Sequence, residues 1–319
     1  MSRPWRAGSP APARRPANLP KIAFMRASAW SDPVFRWLCM LCAALCGLLM
    51  VAFFVQLAFA SGDAWARFGL GFFVSSEWDP VRNLYGAFPA IAGTVATTVI
   101  ALVIALPLAF VSALFIVDAP PWLSRVLGQA VDLLAAIPSI IYGMWGLFVL
   151  VPLMDGLWTR LGVDNEYGGI GLLTASLILA LMILPYICAV MRDVLRMTPP
   201  MLRESAFGVG CTRWETARDI LMRYGIRGLL GGIFIGLGRA LGETMAVLFV
   251  AGNIMKAPTG LLDGCTTIAA TLANNFAEAE GVQRSALFAL GLILLVMAFA
   301  IQVLAQYYLR MTSAKRGEK

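Results

Sequence analysis

Two opposite charges, Arg239 and Glu243, lie inside the apolar, glycine-rich stretch Gly228–Asn253, and no other apolar stretch of the chain carries charges so deep within it. At about 1.5 Å rise per residue Arg239 stands roughly 16 Å past Gly228, near the middle of a ~30 Å hydrocarbon core. A guanidinium there costs about 2.5 to 3.5 kcal/mol on insertion scales, so it calls for a partner and a purpose. Glu243, four residues on and on the same helix face, is the expected partner. Arg ahead of Glu is the weaker order, and even the better order contributes only about 0.2 to 0.5 kcal/mol on an exposed helix. So weak a pair does not account for two charges at that depth. A functional role does, with an internal ion pair that only lets the helix tolerate its own charge as the alternative.

Other chemistry is sparse. The 319 residues include no histidine, which removes the commonest general base and metal ligand together with Ser-His-Asp and Cys-His schemes. No G-x-x-x-x-G-K-[ST] occurs, so the chain lacks a phosphate-cradling ATPase loop of its own. Cys39, Cys42 and Cys46 share one apolar stretch and read as small apolar residues, while Cys188, Cys211 and Cys265 are scattered and imply no disulfide framework. With 60% hydrophobic residues, 13% charged and a mean hydropathy of +0.78, the chain is far more apolar than a soluble domain at about 45 to 50%. The expected class is an all-α polytopic membrane protein whose task is transport or conduction. A channel or ion-coupled carrier is the alternative class, and an intramembrane enzyme acting on phosphate-bearing lipid is disfavoured by the missing histidine, metal ligands and paired acids.

Six uncharged or nearly uncharged runs supply the elements that must position Arg239. Residues 1–36 hold seven basic residues (Arg3, Arg6, Arg14, Arg15, Lys21, Arg26, Arg36) and six prolines, and read as a disordered cytoplasmic arm with no nucleic-acid role. The membrane-spanning body covers 37–310. Its first span, Trp37–Ser61, reads as a retained anchor, since the preceding leader is too long and the apolar run exceeds that of a signal peptide. Gly62–Tyr85 is expected as a polar loop with interfacial aromatics. Gly86–Val117 is the second span, with Thr94 among its small and hydroxyl residues and Pro107 inside it. The third is placed at Leu133–Met154 with a break at Pro138-Ser139, where freed backbone groups suit a cavity wall. An acidic loop, Asp155–Glu166, precedes the fourth, Gly168–Met191; the fifth is Gly228–Asn253 and the sixth Ser285–Leu309. A basic tail, 311–319, closes the chain.

The connection 192–227 stands apart. It carries seven arginines (Arg192, Arg196, Arg203, Arg213, Arg218, Arg223, Arg227) and no span, and Pro199-Pro200 suits a helix start, so a helical hairpin is expected. Nineteen Lys and Arg residues fall in the arm, the 118–132 loop, this hairpin and the tail counted from Arg310, against five in the opposite loops. The positive-inside rule then gives six spans with both termini cytoplasmic.

Within the hairpin, Glu204-Ser205-Ala206, Gly210 and Ile220 resemble the EAA loop of ABC-transporter permeases, with Ser205 in place of an Ala and Met222-Arg223 in place of Leu-Pro. Trp78-Asp79-Pro80, Tyr85 to Thr94, Ala136 to Gly143 and above all Gly238-Arg239-Ala240-Leu241-Gly242-Glu243-Thr244-Met245-Ala246 resemble the phosphate ABC transporter permeases of the C-type in the Pst system. The likeness runs from about Trp78 to Tyr308. It implies a six-helix type I importer permease in the bacterial inner membrane, with Arg239, Glu243, Thr244, Thr94 and Ser139 along the substrate pathway. It also implies that Glu204, Ser205, Ala206, Gly210 and Ile220 couple to the ATPase. The implied partners are a paralogous A-type permease, two ATPase subunits that use ATP and Mg, a periplasmic phosphate-binding protein and membrane lipid; no cofactor or metal is implied for this chain. Sulfate or molybdate is the alternative cargo. Gly228, Gly232, Gly236, Gly238 and Gly242 put small residues on faces of the fifth span, one of which would meet the partner permease.

Overall fold

The computed structural model describes residues 31–163 and 166–317. The chain forms two compact units, residues 1–53 and 54–319. In the first, the described part is helix α1, which begins at Ser31 and ends at Ala60, within the second unit. The arm expected at residues 1–36 lies outside the described residues up to position 30, and its last six residues are already helical. Among the described residues six helices are long and apolar enough to cross a bilayer.

The second unit begins with a folded apron where a loop is expected. α2 (Gly62–Phe68), a 3-10 turn (Gly69–Phe73) and a two-residue hairpin, β1 (Trp78–Asp79) with β2 (Leu84–Tyr85), pair Trp78 with Tyr85. The Asp79 carboxylate accepts from the amides of Val81 and Arg82, which shapes the turn that places Asn83 at φ 52°. Phe72 and Tyr85 are buried with Ala87, Ala90, Ile268, Leu287 and Leu290, while Trp65 and Trp78 are half-buried against the same cluster.

Helix α7 (Leu172–Arg196) is the most enclosed span and the axis of the unit. α3 (Phe88–Asp118) presents Ala101, Ala105, Ala109 and Ala113, a small-residue stripe at every fourth position, to the larger cluster that includes Ile178, Leu179, Met182, Ile183 and Ile187 of α7. On its other side α7 meets the glycine face of α10 (Met222–Leu241). A Cβ on Gly228 would lie 2.5 Å from Val194, and one on Gly236 2.5 Å from Ile187. The chain's own α7 therefore fills the face that the spacing of Gly228, Gly232 and Gly236 had left for a neighbour, whereas Gly238 has open space beside it.

The third and fifth spans differ from their sequence-based bounds, and both differences come from interrupted backbone. α4 (Pro121–Ala136) stops before Pro138, which lacks an N–H and keeps Ile137 extended at ψ 128°. The span proper is the rod Ser139–Arg160, built from α5 (Ser139–Trp145), a π turn (Gly146–Leu150) and α6 (Val151–Arg160). Asp155 accordingly sits on a helix, not in a loop. The hairpin comprises α8 (Pro200–Gly208), with Pro200 at its first turn, followed by α9 (Arg213–Glu215). From Arg213 one rod continues through a π turn (Thr216–Leu221) and α10 to Leu241. There the helix breaks, and α11 (Met245–Val250) starts anew. Gly228–Asn253 is thus two helices and a joint.

A loop from 251 to 267 precedes α12 (Ile268–Asn275) and the last span, α13 (Gly281–Gly317). This loop caps the axis: the amides of Leu172 and Leu173, which an isolated helix start leaves unpaired, donate to the carbonyls of Asp263 and Leu261. The Asp263 carboxylate in turn accepts from the Thr259 hydroxyl at 2.7 Å and from the Thr259 and Gly260 amides at 2.8 Å. These bonds, the Thr259 hydroxyl foremost, hold its pKa below the ordinary carboxylate value of 3.8. A lowered folded-state pKa contributes stability above the unfolded value that is lost only as pH falls through the folded one. Amide exchange in 259–264 of the native protein should therefore be unchanged from pH 7 down to about 4 once corrected for intrinsic rates, and Asp263→Asn should accelerate it throughout that range.

Candidate functional site

The joint after Leu241 and the break before Pro138 are linked through Tyr186, while Tyr142 closes the break itself. The hydroxyl of Tyr142, on α5, donates to the Leu134 carbonyl at 2.9 Å, and that of Tyr186, on α7, donates to the carbonyl of Ala135. Both acceptors belong to the last turn of α4, where Pro138 supplies no amide to continue the helical bonds; the Leu134 carbonyl also accepts from the Ile137 amide at 3.3 Å. The ring of Tyr186 lies beneath Arg239, with the guanidinium carbon 4.1 Å from its centroid. Arg239, Tyr186 and the Ala135-to-Ser139 turn thus form one connected group. Ser139, half-buried, is the first residue of α5 in that turn.

Glu243 does not do what the sequence suggests. No ion pair joins it to Arg239, because the helix that would have aligned them ends at Leu241. Its carboxylate instead accepts from the Ala246 amide at 3.0 Å, satisfying one orphan donor at the start of α11, and the residue is 8% exposed. Among the described residues no carboxylate neutralises Arg239, and its Nε is buried without a hydrogen-bond partner. Thr244, half-buried, donates to the Gly242 carbonyl at 3.3 Å and so folds over the joint. The result is an uncompensated cation held over an aromatic face at a break in a membrane-spanning rod. Such a centre can attract an anion and offer it a bidentate fork.

Thr94 is committed to packing. Its hydroxyl donates to the Ala90 carbonyl at 2.7 Å and accepts from the Ile268 amide at 2.9 Å, which fastens α12 to α3. The same seam brings Gly93 so close to Thr266 that a Cβ would lie 1.9 Å from its carbonyl oxygen.

The EAA-like residues occupy a tight hairpin. Ala206 is buried and its carbonyl accepts from Cys211; Gly210 adopts φ 96°, a conformation that favours glycine. Thr212 and Glu215 form a reciprocal capping box that starts the next helix. Glu204 and Ser205 are exposed on α8, and Ile220 is half-buried in the π turn. Around them Met201, Phe207, Val209 and Trp214 are exposed apolar side chains. Arg203 links α8 to the end of α3 through Asp118 at 3.8 Å, and Arg192 clasps α4 through Asp132 at 3.3 Å and the Gly128 carbonyl at 3.2 Å.

Sequence reasoning missed Tyr186. The available signal was a lone hydroxyl-bearing aromatic beside Pro185 inside an apolar span, where a phenol needs a partner.

Residues 105–312 match a family described as binding-protein-dependent transport system inner membrane component. The chain is 43% identical over 303 residues to the phosphate transport system permease protein PstC of Haemophilus influenzae, covering 91% of this chain and 96% of that one. Over 310 residues it is likewise 43% identical to the protein of the same name from Mesorhizobium japonicum, covering 92% and 95%. Among solved structures it is similar to a bacterial ABC transporter involved in import of the acidic polysaccharide alginate, with a TM-score of 0.61, 18% identity and coverage of 88% and 98%. It also resembles the MetNI methionine ABC transporter in inward-facing form, with a TM-score of 0.52, 18% identity and coverage of 72% and 94%. These two likenesses speak to the fold.

The double use of the Thr94 hydroxyl carries a stability consequence. Thr94→Val leaves the buried Ile268 amide without an acceptor and should cost about 1 to 3 kcal/mol; Thr94→Ser should retain most of that stability in detergent melting.

Proposed function

The chain belongs to the binding-protein-dependent transport system inner membrane component family, and from that premise we propose that Arg239 is the anion contact in a phosphate translocation pathway. The chain is a multi-pass inner-membrane permease subunit of an ABC importer for phosphate. It belongs with an ATPase and a substrate-binding protein, and the work of ATP hydrolysis falls to the former. The observation that carries the reading of Arg239 is its missing counter-ion: a guanidinium inside a span, buried at Nε, with no carboxylate against it among the described residues. A phosphate oxyanion supplies both the charge and the paired acceptors that it lacks.

Thr244 and Ser139 sit at the joint and at the neighbouring turn, and are assigned to the pathway beside Arg239. Glu243 serves it by fixing the start of α11, and Thr94 by holding α12 against α3. Because Glu243 is engaged with the Ala246 amide, it need not swing away for phosphate to approach.

The hairpin at 200–215 is the coupling element. Its exposed Met201, Phe207, Val209 and Trp214 form the apolar part of a surface that docks into a groove of the ATPase, with Glu204 and Ser205 on the same short helix. Arg203 and Arg192 tie that element to α3 and α4. The hairpin end and both termini are cytoplasmic by the charge count. A paralogous A-type permease completes the membrane part, and the face of α10 around Gly238 is open for it. ATP and Mg belong to the ATPase, and this chain requires no cofactor of its own.

Arg239→Gln should reduce radiolabelled phosphate uptake to background while complex assembly and basal ATP hydrolysis persist, and normal uptake by the variant would sink the assignment. Competition by sulfate and molybdate in the same cells tests the cargo; phosphate should be displaced only by unlabelled phosphate or arsenate. Gly210→Asp adds a side chain where φ is 96° and strains the turn by about 1 to 2 kcal/mol. It should uncouple ATP hydrolysis from uptake or release the ATPase during purification.

A further inference from the structure

Resting on the assignment of Arg239 to the pathway, we propose that Tyr186 is a positioning residue that holds the Arg239 guanidinium in place without neutralising it. A lone guanidinium in an apolar span needs something to fix it, and the usual fixture, a carboxylate, would compete with the anion for the same donors. The face of an aromatic ring attracts a cation through its quadrupole yet carries no net charge. With the guanidinium carbon 4.1 Å from the centroid of Tyr186, the ring lies against the cation, and the buried Nε stays without a hydrogen-bond partner.

The platform is itself anchored. Tyr186 follows Pro185 in α7, the most enclosed span, and its hydroxyl is bonded to the carbonyl of Ala135 at the end of α4. The ring therefore has fixed points at both ends, one through the backbone of α7 and one through the broken end of α4. Glu243, the one acid near in sequence, is occupied at Ala246. A structural reading of Tyr186 rests on the hydroxyl alone; a positioning role rests on the ring. The two respond to different substitutions.

The test uses the complete transporter in proteoliposomes, with phosphate-loaded binding protein at saturation, and reads phosphate transported per ATP hydrolysed. Tyr186→Phe keeps the ring and should keep this ratio within about twofold, whereas Tyr186→Leu should lower it roughly tenfold. A series of increasingly fluorinated phenylalanines placed at 186 changes the quadrupole at nearly constant size, so it keeps the test open even where the Leu variant fails to assemble. The ratio should fall stepwise with fluorination. A flat response, or a loss with Phe as large as with Leu, would overturn the positioning role. Arg239→Gln measured alongside separates the two ideas: if it transports normally, the pathway assignment fails; if it does not and the fluorination series is flat, only the platform fails.

Discussion

A backbone carbonyl or amide that loses its helical partner in a membrane-spanning protein must find another, and this constraint shapes the structure around two interruptions. The first follows Ala136, where Pro138 ends α4; the second follows Leu241, where the long rod gives way to α11. Each is repaired by a side chain from elsewhere or from just beyond the break. Tyr142 and Tyr186 donate to the carbonyls of Leu134 and Ala135, and Glu243 accepts from Ala246. The repairs bring polar groups into the middle of an apolar protein, and the Arg239 guanidinium lies among them. Interruption and site are one solution to one problem.

The axis α7 makes this possible. It receives the alanine stripe of α3 on one side and the glycine face of α10 on another, so backbones on both sides approach closely. Its first amides are capped by the 251–267 loop, and Arg192 near its end clasps α4. Tyr186 sits between those two anchored ends. A ring so placed has little freedom, which is what a support for a charged group requires.

Much of the fold was legible because length and apolarity decide it: six spans and the hairpin with its proline start follow from elementary rules. The break at Pro138 announces itself, although the span begins after it. The joint at Gly242 was not legible, since glycine inside a membrane helix is common and no proline marks the stop. Reading straight through it put Glu243 opposite Arg239, a pairing that local spacing favoured and the broken backbone prevents. The platform under Arg239 comes from a residue 53 positions earlier, brought there by the packing of α7 against α10. Spacing along one helix cannot report a contact between two. Ser139 and Thr94 illustrate the same division: the first marks a turn visible in sequence, while the second owes its bonds to Ile268, a partner set by the tertiary fold.

The π turn at Thr216–Leu221 lies between the hairpin and Arg239 on a single rod. A π turn holds one residue more than the α-helical turn that it replaces. Each residue of an α-helix turns the chain by about 100°, so closing that wide turn into a regular one would rotate everything beyond it by a comparable angle relative to the hairpin. The rod thus stores an azimuth: the direction in which Arg239 faces is set by the winding of six residues far outside the site.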